Sequence, residues 1–381
     1  MRKLKKIGLC MIVKNEGRII RRCLASALPM IDYILIVDTG SDDNTIQEIR
    51  DLISENKVDG EVIEEKWRDF AYNRSFALAR LRERRDIDYA LMIDADDQVK
   101  YAPYFDLNAL KQQLTADVYN IMTELGGFTY VRPQLISNKK SFSFGGVLHE
   151  YLKCDEAFTQ DTLERVSVLS IQDSARNQNA DKYRRDAETL AKALETETDA
   201  FLRSRYTFYL AQSYRDCGAH ADAWRAYSAR AEQGFWHEEI YVSLCNAGQM
   251  AELLEHPSAE ILDGYSKAFD LCPQRAEALH AAARHCRLKS RFQTGYLFAK
   301  RGVEIEKPRE GLFLADWIYR YGMLDEYGVL AYWCGQYRES LEACQKILAL
   351  PDLPVLEIAR ISDNAKFARI ALSDAGAHAS S

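Results

Sequence analysis

The sequence predicts two domains of different class, an α/β domain followed by an all-α domain. Up to about residue 172, short apolar runs alternate with segments of helical spacing, which favours a mainly parallel sheet wrapped by helices. Beyond Asp181 no strand pattern is left, and apolar residues recur at intervals of three and four. We therefore predict an α/β domain at residues 1–178, a helical domain at 179–372 and a flexible tail at 373–381.

Each predicted strand of the first domain is an apolar run that ends at polar or turn-forming residues. The predicted strands are Ile7–Val13, Tyr33–Val37, Glu61–Ile63, Tyr89–Ile93, Val118–Met122 and Val166–Ile171. Between several of them the apolar residues follow the 3.6-residue period of a helix. The predicted helices are Gly17–Leu28, Asn44–Ser54 and Asp69–Arg84.

The second domain has the pattern of stacked helix pairs. Residues 218–227 and 335–344 are alike in their small residues and aromatics, and Pro273, Pro308 and Pro351 are spaced by 35 and 43 residues. Tetratricopeptide repeats have a period of about 34 residues, with small residues, aromatics and a late proline. We predict tetratricopeptide-like pairs that form a concave binding face. A helical domain without repeats is the alternative.

Composition excludes several classes of protein. A net charge of -7 gives no general attraction to nucleic acid or anionic membranes, and no apolar run is long enough to span a bilayer. Ile7–Val13 follows basic residues but ends at Lys14 rather than at a cleavage site, so we predict a strand and a cytoplasmic protein, with peripheral contact with the inner membrane face left open. Nine scattered cysteines without a Cys-x-x-Cys pair predict reduced thiols.

Three carboxylates, Asp94, Asp96 and Asp97, directly follow the apolar run Tyr89–Ile93. In open α/β sheets, ligands bind outside the carboxyl ends of the strands. Hard divalent cations prefer oxygen ligands, and two acids separated by one residue can bind the same ion. These aspartates therefore predict a metal site for a nucleoside diphosphate, and an ordinary Asp-rich turn is the alternative.

Two other predicted strand ends and one helix carry further candidate residues. Asn15 and Glu16 follow the first strand, and Asp38, Gly40 and Ser41 follow the second. An acid at a strand end can accept hydrogen bonds from a uracil N–H or from ribose hydroxyls, and glycine allows close backbone approach. In the predicted helix, Arg74 is suited to a phosphate and Asn73 to a ribose or base. Capped loops and a solvated helix face are the alternatives.

This ordered set of motifs resembles the family 2 glycosyltransferases of the GT-A fold, a Rossmann-like fold with a mainly parallel sheet. The resemblance rests on Asn15-Glu16, on residues 37–43 and on Asp94-Ala95-Asp96, and it covers roughly residues 5–155. More narrowly, the chain is similar to a bacterial subgroup in which this domain precedes tetratricopeptide-like repeats. Thr39 departs from the pattern, because many members have a second aspartate there, so the base contact depends on Asp38.

The resemblance implies a UDP- or dTDP-sugar donor, a bound Mn2+ or Mg2+ and inversion at the anomeric carbon. It places Asp38 at the nucleobase, Asp94 near the ribose and metal, and Asp96 on the metal that bridges the diphosphate. The physical chemistry agrees, because a cation stabilises the charge that builds on a departing diphosphate.

Inversion also needs a general base that takes the proton of the acceptor. In similar transferases a His-Glu pair closes the active site, and here His149-Glu150 follows a glycine pair. We predict Glu150 as the base and His149 as a further metal ligand or diphosphate contact, with Asp97 as the rival base. Arg132 either reaches the diphosphate or is a solvated side chain.

The first hypothesis is a metal-dependent inverting glycosyltransferase of hexosyl type, which transfers a sugar to an acceptor hydroxyl or thiol. Its acceptor would be a glycan, a lipid-linked sugar or a protein or peptide, and its helical domain would hold the acceptor or form a homodimer. The second is a protein-binding module whose first domain is inactive. A nucleotidyltransferase is disfavoured, because residues 14–17 are a poor substitute for a basic, glycine-rich phosphate loop.

Overall fold

The computed structural model of the chain describes residues 4–126 and 128–379. The chain divides into two compact units, Met1–Ala193 and Leu194–Ser381. The division falls later than the boundary predicted after residue 178, and residues just beyond that boundary bond to the first unit: Lys182 Nζ donates to Asn177, and Asp186 pairs with Arg176.

The described part of the first unit forms an eight-stranded sheet in the order β3-β2-β1-β4-β7-β6-β10-β5, together with a two-stranded ribbon, β8-β9. The strands are β1 Ile7–Val13, β2 Tyr33–Asp38, β3 Asp59–Glu64, β4 Tyr89–Met92, β5 Asp97–Tyr101, β6 Val118–Leu125, β7 Phe128–Ser137, β8 Ser143–Gly145, β9 Tyr151–Lys153 and β10 Gln160–Ser170. The helices are α1 Ile20–Ala27, α2 Thr45–Asn56, α3 Phe70–Arg82 and α4 Leu107–Gln113, and α5 Lys182–Thr196 crosses the division.

Strand direction determines which loops share an edge of the sheet. Strands β1 to β4 are parallel to one another, β7 is antiparallel to β4 and to β6, and β10 is parallel to β6. Strand β7 reverses the direction of β4 and β6 reverses it again, so β6 and β10 run in the same direction as β1 to β4. The carboxyl ends of β1, β2, β4 and β10 therefore lie at the same edge, where ligands bind in open α/β sheets.

Four strands were not predicted: β5, β7, β8 and β9. Strand β7 was not predicted because Arg132, Pro133 and Gln134 interrupt its run of apolar residues. Proline cannot donate a ladder hydrogen bond and is found in sheets mainly at edges or bulges. Pro133 lies opposite Asn120, where the pairing of β6 with β7 shifts register, so the irregularity accommodates it.

Apolar residues on both faces of the sheet explain why helices cover both sides. In β2, Ile34 and Ile36 join a core with buried residues of α1, whereas Leu35 and Val37 join a second core with residues of α3. Alternate strand residues point to opposite faces, and a sheet buried on both faces has a continuous apolar run. The predicted α/β class is confirmed.

The second unit is a succession of helices, each packed against the next. They are α6 Ala200–Asp216, α7 His220–Ala231, α8 His237–Leu253, α9 Ser258–Leu271, α10 Glu277–Leu288, α11 Phe292–Gly302, a π-helical turn Ile318–Gly322, α12 Met323–Trp333, α13 Tyr337–Leu348 and α14 Val355–Ala379. Small residues permit close packing: a Cβ on Gly248 would lie 2.5 Å from a ring carbon of Tyr265. The predicted helical repeat domain is confirmed.

Helix α14 continues through Ala379, although the sequence predicts a flexible tail from residue 373. Alanine has the highest helix propensity, and it recurs through this segment, which allows the helix to continue. Ser380 and Ser381 lie outside the described residues. Among the helices that the structure describes, none is both long enough and apolar enough to cross a membrane.

Candidate active site

The loops after β1 and β2 are joined by polar contacts of their own residues. The Asn15 N–H donates to Ser41 Oγ at 2.8 Å, and the Asp42 N–H donates to Asn15 Oδ1 at 2.9 Å. Asn15 has a φ of 58°, in the left-handed region that asparagine tolerates better than most residues. The structure therefore brings Asn15 and Ser41 together, where both organise the strand-end loops.

Asp38 ends β2 with only half of its acceptor capacity in use. Its Oδ1 accepts the N–H groups of Gly40 and Ser41 at 2.9 and 2.8 Å, while its buried Oδ2 has no partner. Gly40 has a φ of 104°, and nothing lies within 4 Å of the position where a Cβ would be. A buried oxygen without a partner is costly unless a ligand supplies one.

Glu16 is a buried carboxylate at the same edge. Its backbone N–H donates to Thr45 Oγ1 at 2.8 Å, and its Oε2 accepts the N–H of Ala175 at 3.2 Å. Burial and the nearby carboxylates, Asp96 foremost among them, raise the pKa of Glu16 to about 7 against the effect of the Ala175 hydrogen bond. Glu16 therefore connects the first strand end to the loop after β10.

The acidic turn, residues 94–97, is a tight turn between β4 and β5. The Asp97 N–H donates to the Asp94 carbonyl at 3.0 Å, and Asp97 Oδ2 accepts the Asp94 N–H at 3.1 Å. Asp97 is fully buried, its Oδ1 has no partner, and burial together with Asp94 raises its pKa to about 6. Asp97 thus shapes the turn and has no exposed surface.

Two arginines hold the carboxylates of this turn. Arg74 Nη2 lies 2.5 Å from Asp94 Oδ1, and Arg74 Nε lies 2.5 Å from Glu150 Oε1. Arg132 lies 2.8 Å from Asp97 Oδ2 and 3.6 Å from Asp94 Oδ2, so the alternative of a solvated Arg132 is wrong. Burial opposes the charged form of Asp94, but the two arginines outweigh it and hold its pKa below the usual value.

Arg74 thereby brings together two predicted site segments that lie far apart in the sequence. Glu150, which is half-buried, approaches the acidic turn through its ion pair with Arg74. His149 is exposed and has a φ of 50°. The backbone at His149 thus directs Glu150 inward while His149 lies on the surface.

Asn73 has a different place from the one predicted. Its side chain is fully buried, its Oδ1 accepts the Arg68 N–H at 3.0 Å, and its Nδ2 donates to the Lys66 carbonyl at 3.3 Å. Both ends of the amide therefore hold the loop before α3. This corrects the predicted ribose or base contact, because the side chain has no exposed surface through which a ligand could reach it.

Carboxylates at the acidic turn fit the donor chemistry of a hard divalent cation. Asp94 and Asp96 bind different partners, however, since Asp94 binds arginines and Asp96 Oδ2 accepts from Asn177 Nδ2 at 2.8 Å. In the described chain, Asp96 Oδ1 accepts no hydrogen bond, and it is the oxygen best suited to a cation. Asp94, Asp96 and His149 as metal ligands stay a prediction.

The β10–α5 loop, residues 171–181, was not predicted to lie at this site. Its residues Asp173, Ala175 and Asn177 bond to Arg22, Glu16 and Asp96 at the sheet edge. The available signal was the polar run after the last predicted strand. The polar run alone does not locate the loop. The order and direction of the strands are also required, because the direction of β10 brings this loop to the same edge as the acidic turn.

The second unit holds a group that resembles a metal site by composition. In the described residues, ligand atoms of His237, Glu238 and Cys272 lie within 4.8 Å of one another. Glu238 Oε2 already lies 2.5 Å from Arg275 Nη1 and accepts the Leu312 N–H at 2.9 Å. A guanidinium in that place disfavours a cation, so we assign this group to the packing of the helices.

Comparisons with known proteins agree with the predicted fold class. Residues 9–118 match the family model described as Glycosyl transferase family 2. A TPR repeat-containing protein of Synechococcus elongatus is 27% identical over 152 residues, which are 39% of this chain and 35% of that protein. The match therefore spans about a third of the length of that curated relative.

Two solved structures show distant likeness. Staphylococcus aureus TarS 1-349 has a TM-score of 0.32 and 13% identity, over 74% of this chain and 91% of that one. YrrB, described as a TPR protein with an unusual peptide-binding site, has a TM-score of 0.35 and 13% identity, over 51% and 84%. The family match at residues 9–118 covers the loops of Asp38 and of the acidic turn. Residues 9–118 of the first unit therefore carry a match to glycosyl transferase family 2, and helical repeats of the tetratricopeptide type follow in the second unit.

Proposed function

We propose that the chain is a metal-dependent inverting glycosyltransferase that uses a nucleoside-diphosphate sugar, with UDP as the expected nucleotide. The family match supports sugar transfer in general. The finer assignment is supported by the chemistry of the residues at the carboxyl edge of the sheet. The proposed acceptor is a hydroxyl or thiol of a glycan, a lipid-linked sugar or a peptide.

The observation that carries the proposal is the unpartnered Oδ2 of Asp38. It is buried at the strand end, next to the open space at Gly40. A charged acceptor in this place suits a planar N–H donor such as the N3–H of uracil, and a hydrogen bond to a charged group contributes about 1.5–3 kcal/mol. Binding of such a base would supply the missing partner.

Asp96, with Asp94, would hold the Mn2+ or Mg2+ ion, which when bound neutralises the charge on the diphosphate leaving group. The residues of the chain itself set the local charge. Arg74 and Arg132 hold Asp94 ionised, and their guanidinium groups keep two positive charges beside the acidic turn. A diphosphate would bind where those charges and the free oxygen of Asp96 meet.

Glu150 is the better candidate for the general base. A base must reach the acceptor proton, and Asp97 is fully buried and bonded to Arg132, whereas Glu150 has an exposed fraction of 13% in its side chain. In a single displacement, the acceptor oxygen or sulfur bonds to the anomeric carbon as the bond to the diphosphate breaks. The acceptor proton passes to Glu150, and the sugar inverts.

Thermal shifts with nucleotide sugars, measured with and without Mn2+, test this proposal. A UDP-sugar should raise the melting temperature only when Mn2+ is present, since a ligand that binds the folded state stabilises it. Asp96→Ala should abolish the shift, and Asp161→Ala, an exposed aspartate at the opposite end of β10, should leave it unchanged.

A metal-independent shift, or an unchanged shift in Asp96→Ala, would refute the metal-dependent mechanism. If no nucleotide sugar bound, the alternative of a protein-binding module with an inactive first domain would be favoured. A cytoplasmic location and a homodimer through the helical domain accompany the proposal. Fractionation of cells and light scattering of the purified protein would test them.

A further inference from the structure

The β10–α5 loop is fastened to the candidate active site at regular intervals. Alternate residues of the loop bond to three separate parts of the first unit, in the pairs Asp173–Arg22, Ala175–Glu16 and Asn177–Asp96. The Asp173–Arg22 pair is bidentate, with distances of 2.7 and 2.6 Å. Such a pair fixes both position and orientation. The loop therefore has a defined course past the acidic turn.

Asn177 is the member of this series that touches a proposed metal ligand. Its Nδ2 donates to Asp96 Oδ2 at 2.8 Å, and its Oδ1 accepts from Lys182 Nζ at 2.7 Å. A lysine can only donate and a carboxylate can only accept, so the two neighbours allow one orientation of the amide. The hydrogen bonds thus run in one direction, from the Lys182 ammonium to Asn177 and from Asn177 to the Asp96 carboxylate.

We propose that Asn177 is a positioning residue for Asp96 and that Lys182 fixes the orientation of Asn177. This inference rests on the proposed function, in which Asp96 binds a divalent cation with a nucleoside diphosphate. Asn177 occupies only Oδ2, and in the described chain Oδ1 accepts no other hydrogen bond. The hydrogen bond therefore leaves one oxygen for the cation and stops the carboxylate from rotating away from it.

Removal of Asn177 should lower the metal affinity of the site by an amount that is large enough to measure. Groups that hydrogen-bond to a ligating side chain orient it, and their removal lowers metal affinity by roughly 10–100-fold. Asp96 is almost fully buried, so few other groups can replace the lost hydrogen bond. Lys182 acts through Asn177, and its loss should therefore cause a smaller decrease in affinity than the loss of Asn177 itself.

The test is a calorimetric titration of the nucleotide-free protein with Mn2+, followed by UDP in saturating Mn2+. We expect Asn177→Ala to weaken Mn2+ binding by roughly 10–100-fold and Lys182→Met to weaken it less, while Lys182→Arg retains wild-type affinity because arginine also only donates. Gln160→Ala is the matched control, since Gln160 is an exposed amide bonded to Asn120 at the other end of β10. The metal-free melting temperature of each variant should stay close to wild type.

Wild-type Mn2+ affinity in Asn177→Ala would overturn the inference and leave the proposed function standing. Failure of the wild-type protein to bind Mn2+ would overturn both. If Asn177→Ala folds poorly, Lys182→Met decides the question, because it keeps the amide and removes only its orienting partner. An equal loss of affinity in Gln160→Ala would also contradict the inference, since that loss would not depend on contact with Asp96.

Discussion

The two units of this chain both bury charged side chains, but among the described residues only the α/β unit has buried carboxylate oxygens without a partner. In the helical unit, Arg275 donates to Glu238 and Glu277 and to the Leu312 carbonyl, at 2.5 to 3.2 Å. In the α/β unit, Asp38 and Asp97 each have a buried carboxylate oxygen without a partner, and these are the two such oxygens in the described residues.

We interpret the Arg275 network as structural and the carboxylates of Asp38 and Asp97 as part of a functional site. A closed network of charges fixes the packing of helices and has no capacity left for a ligand. An incomplete network is costly to the folded state, and natural proteins concentrate such costs at functional sites. Changes in the first network should therefore alter stability, and changes in the second should alter binding and rate.

Glu150→Gln should have the largest effect on function. Loss of a general base lowers the rate by roughly 10²–10⁴-fold, while UDP affinity should change less, because Glu150 reaches the proposed diphosphate site only through its ion pair with Arg74. The measurement is the rate of donor hydrolysis or transfer at saturating donor. A rate within a few-fold of wild type would mean that another group takes the proton.

Arg275→Ala should have the largest effect on stability. The substitution leaves the buried Glu238 and Glu277 without their cation, and breaking one side of a buried ion pair costs about 3–5 kcal/mol. Urea denaturation measures the loss, and UDP affinity should not change. Arg225→Ala is the control, because its pair with Asp222 is exposed and contributes at most about 1 kcal/mol. Equal losses of unfolding free energy in Arg275→Ala and Arg225→Ala would contradict the assignment of the Arg275 network to the stability of the helical unit.

Asp38→Asn should affect binding selectively. The asparagine oxygen can still accept from the Gly40 and Ser41 N–H groups, but an amide nitrogen replaces the unpartnered oxygen and cannot accept a base N–H. The loss of about 1.5–3 kcal/mol should raise the Kd for UDP by more than tenfold. An unchanged Kd in a calorimetric titration would show that the nucleobase binds elsewhere.

Glu16→Gln should have the smallest effect on the reaction, and its effect on stability should depend on pH. Because burial raises the pKa of Glu16 from 4.5 to about 7, the native state holds this proton more tightly than the unfolded state. Stability should therefore fall as pH rises from 4.5 to 7 and level off above that. Burial also raises the pKa of Asp97 to about 6, so Asp97 adds a similar fall in stability with rising pH to the wild type and to the Glu16→Gln variant.

The glutamine in Glu16→Gln cannot ionise, and a pKa shift from 4.5 to about 7 corresponds to roughly 3 kcal/mol. The variant should therefore melt several degrees above wild type at pH 8. At pH 4 the two proteins should melt together. Thermal scans across this range measure the difference. A variant that melts below wild type at pH 8 would contradict the assigned direction of the pKa shift.

Local patterns were sufficient to predict the class of each domain and most residues at the sheet edge. Asp38, Asp94 and Asp96 each follow an apolar run, and parallel strands bring their carboxyl ends together. The helical period after residue 181 likewise identified the second domain. These features depend on the alternation of apolar and polar residues, which the sequence displays directly.

Contacts between distant residues could not be predicted in this way. Asn73 looked like a site residue because it precedes Arg74, yet its amide binds loop backbone. Arg132 lies in β7, whose position between β4 and β6 required two antiparallel pairings that no local pattern specifies. Asn177 meets Asp96 only because β10 returns the chain to the same edge.

Metal-dependent nucleotide binding at the acidic turn is tested most directly by a crystal structure of the protein with Mn2+ and UDP, with anomalous diffraction recorded at the manganese edge. We expect an anomalous peak at coordination distance from the Asp96 carboxylate, with the uracil N–H bonded to Asp38 Oδ2. A peak away from the acidic turn, or a uracil bound at another place, would contradict it.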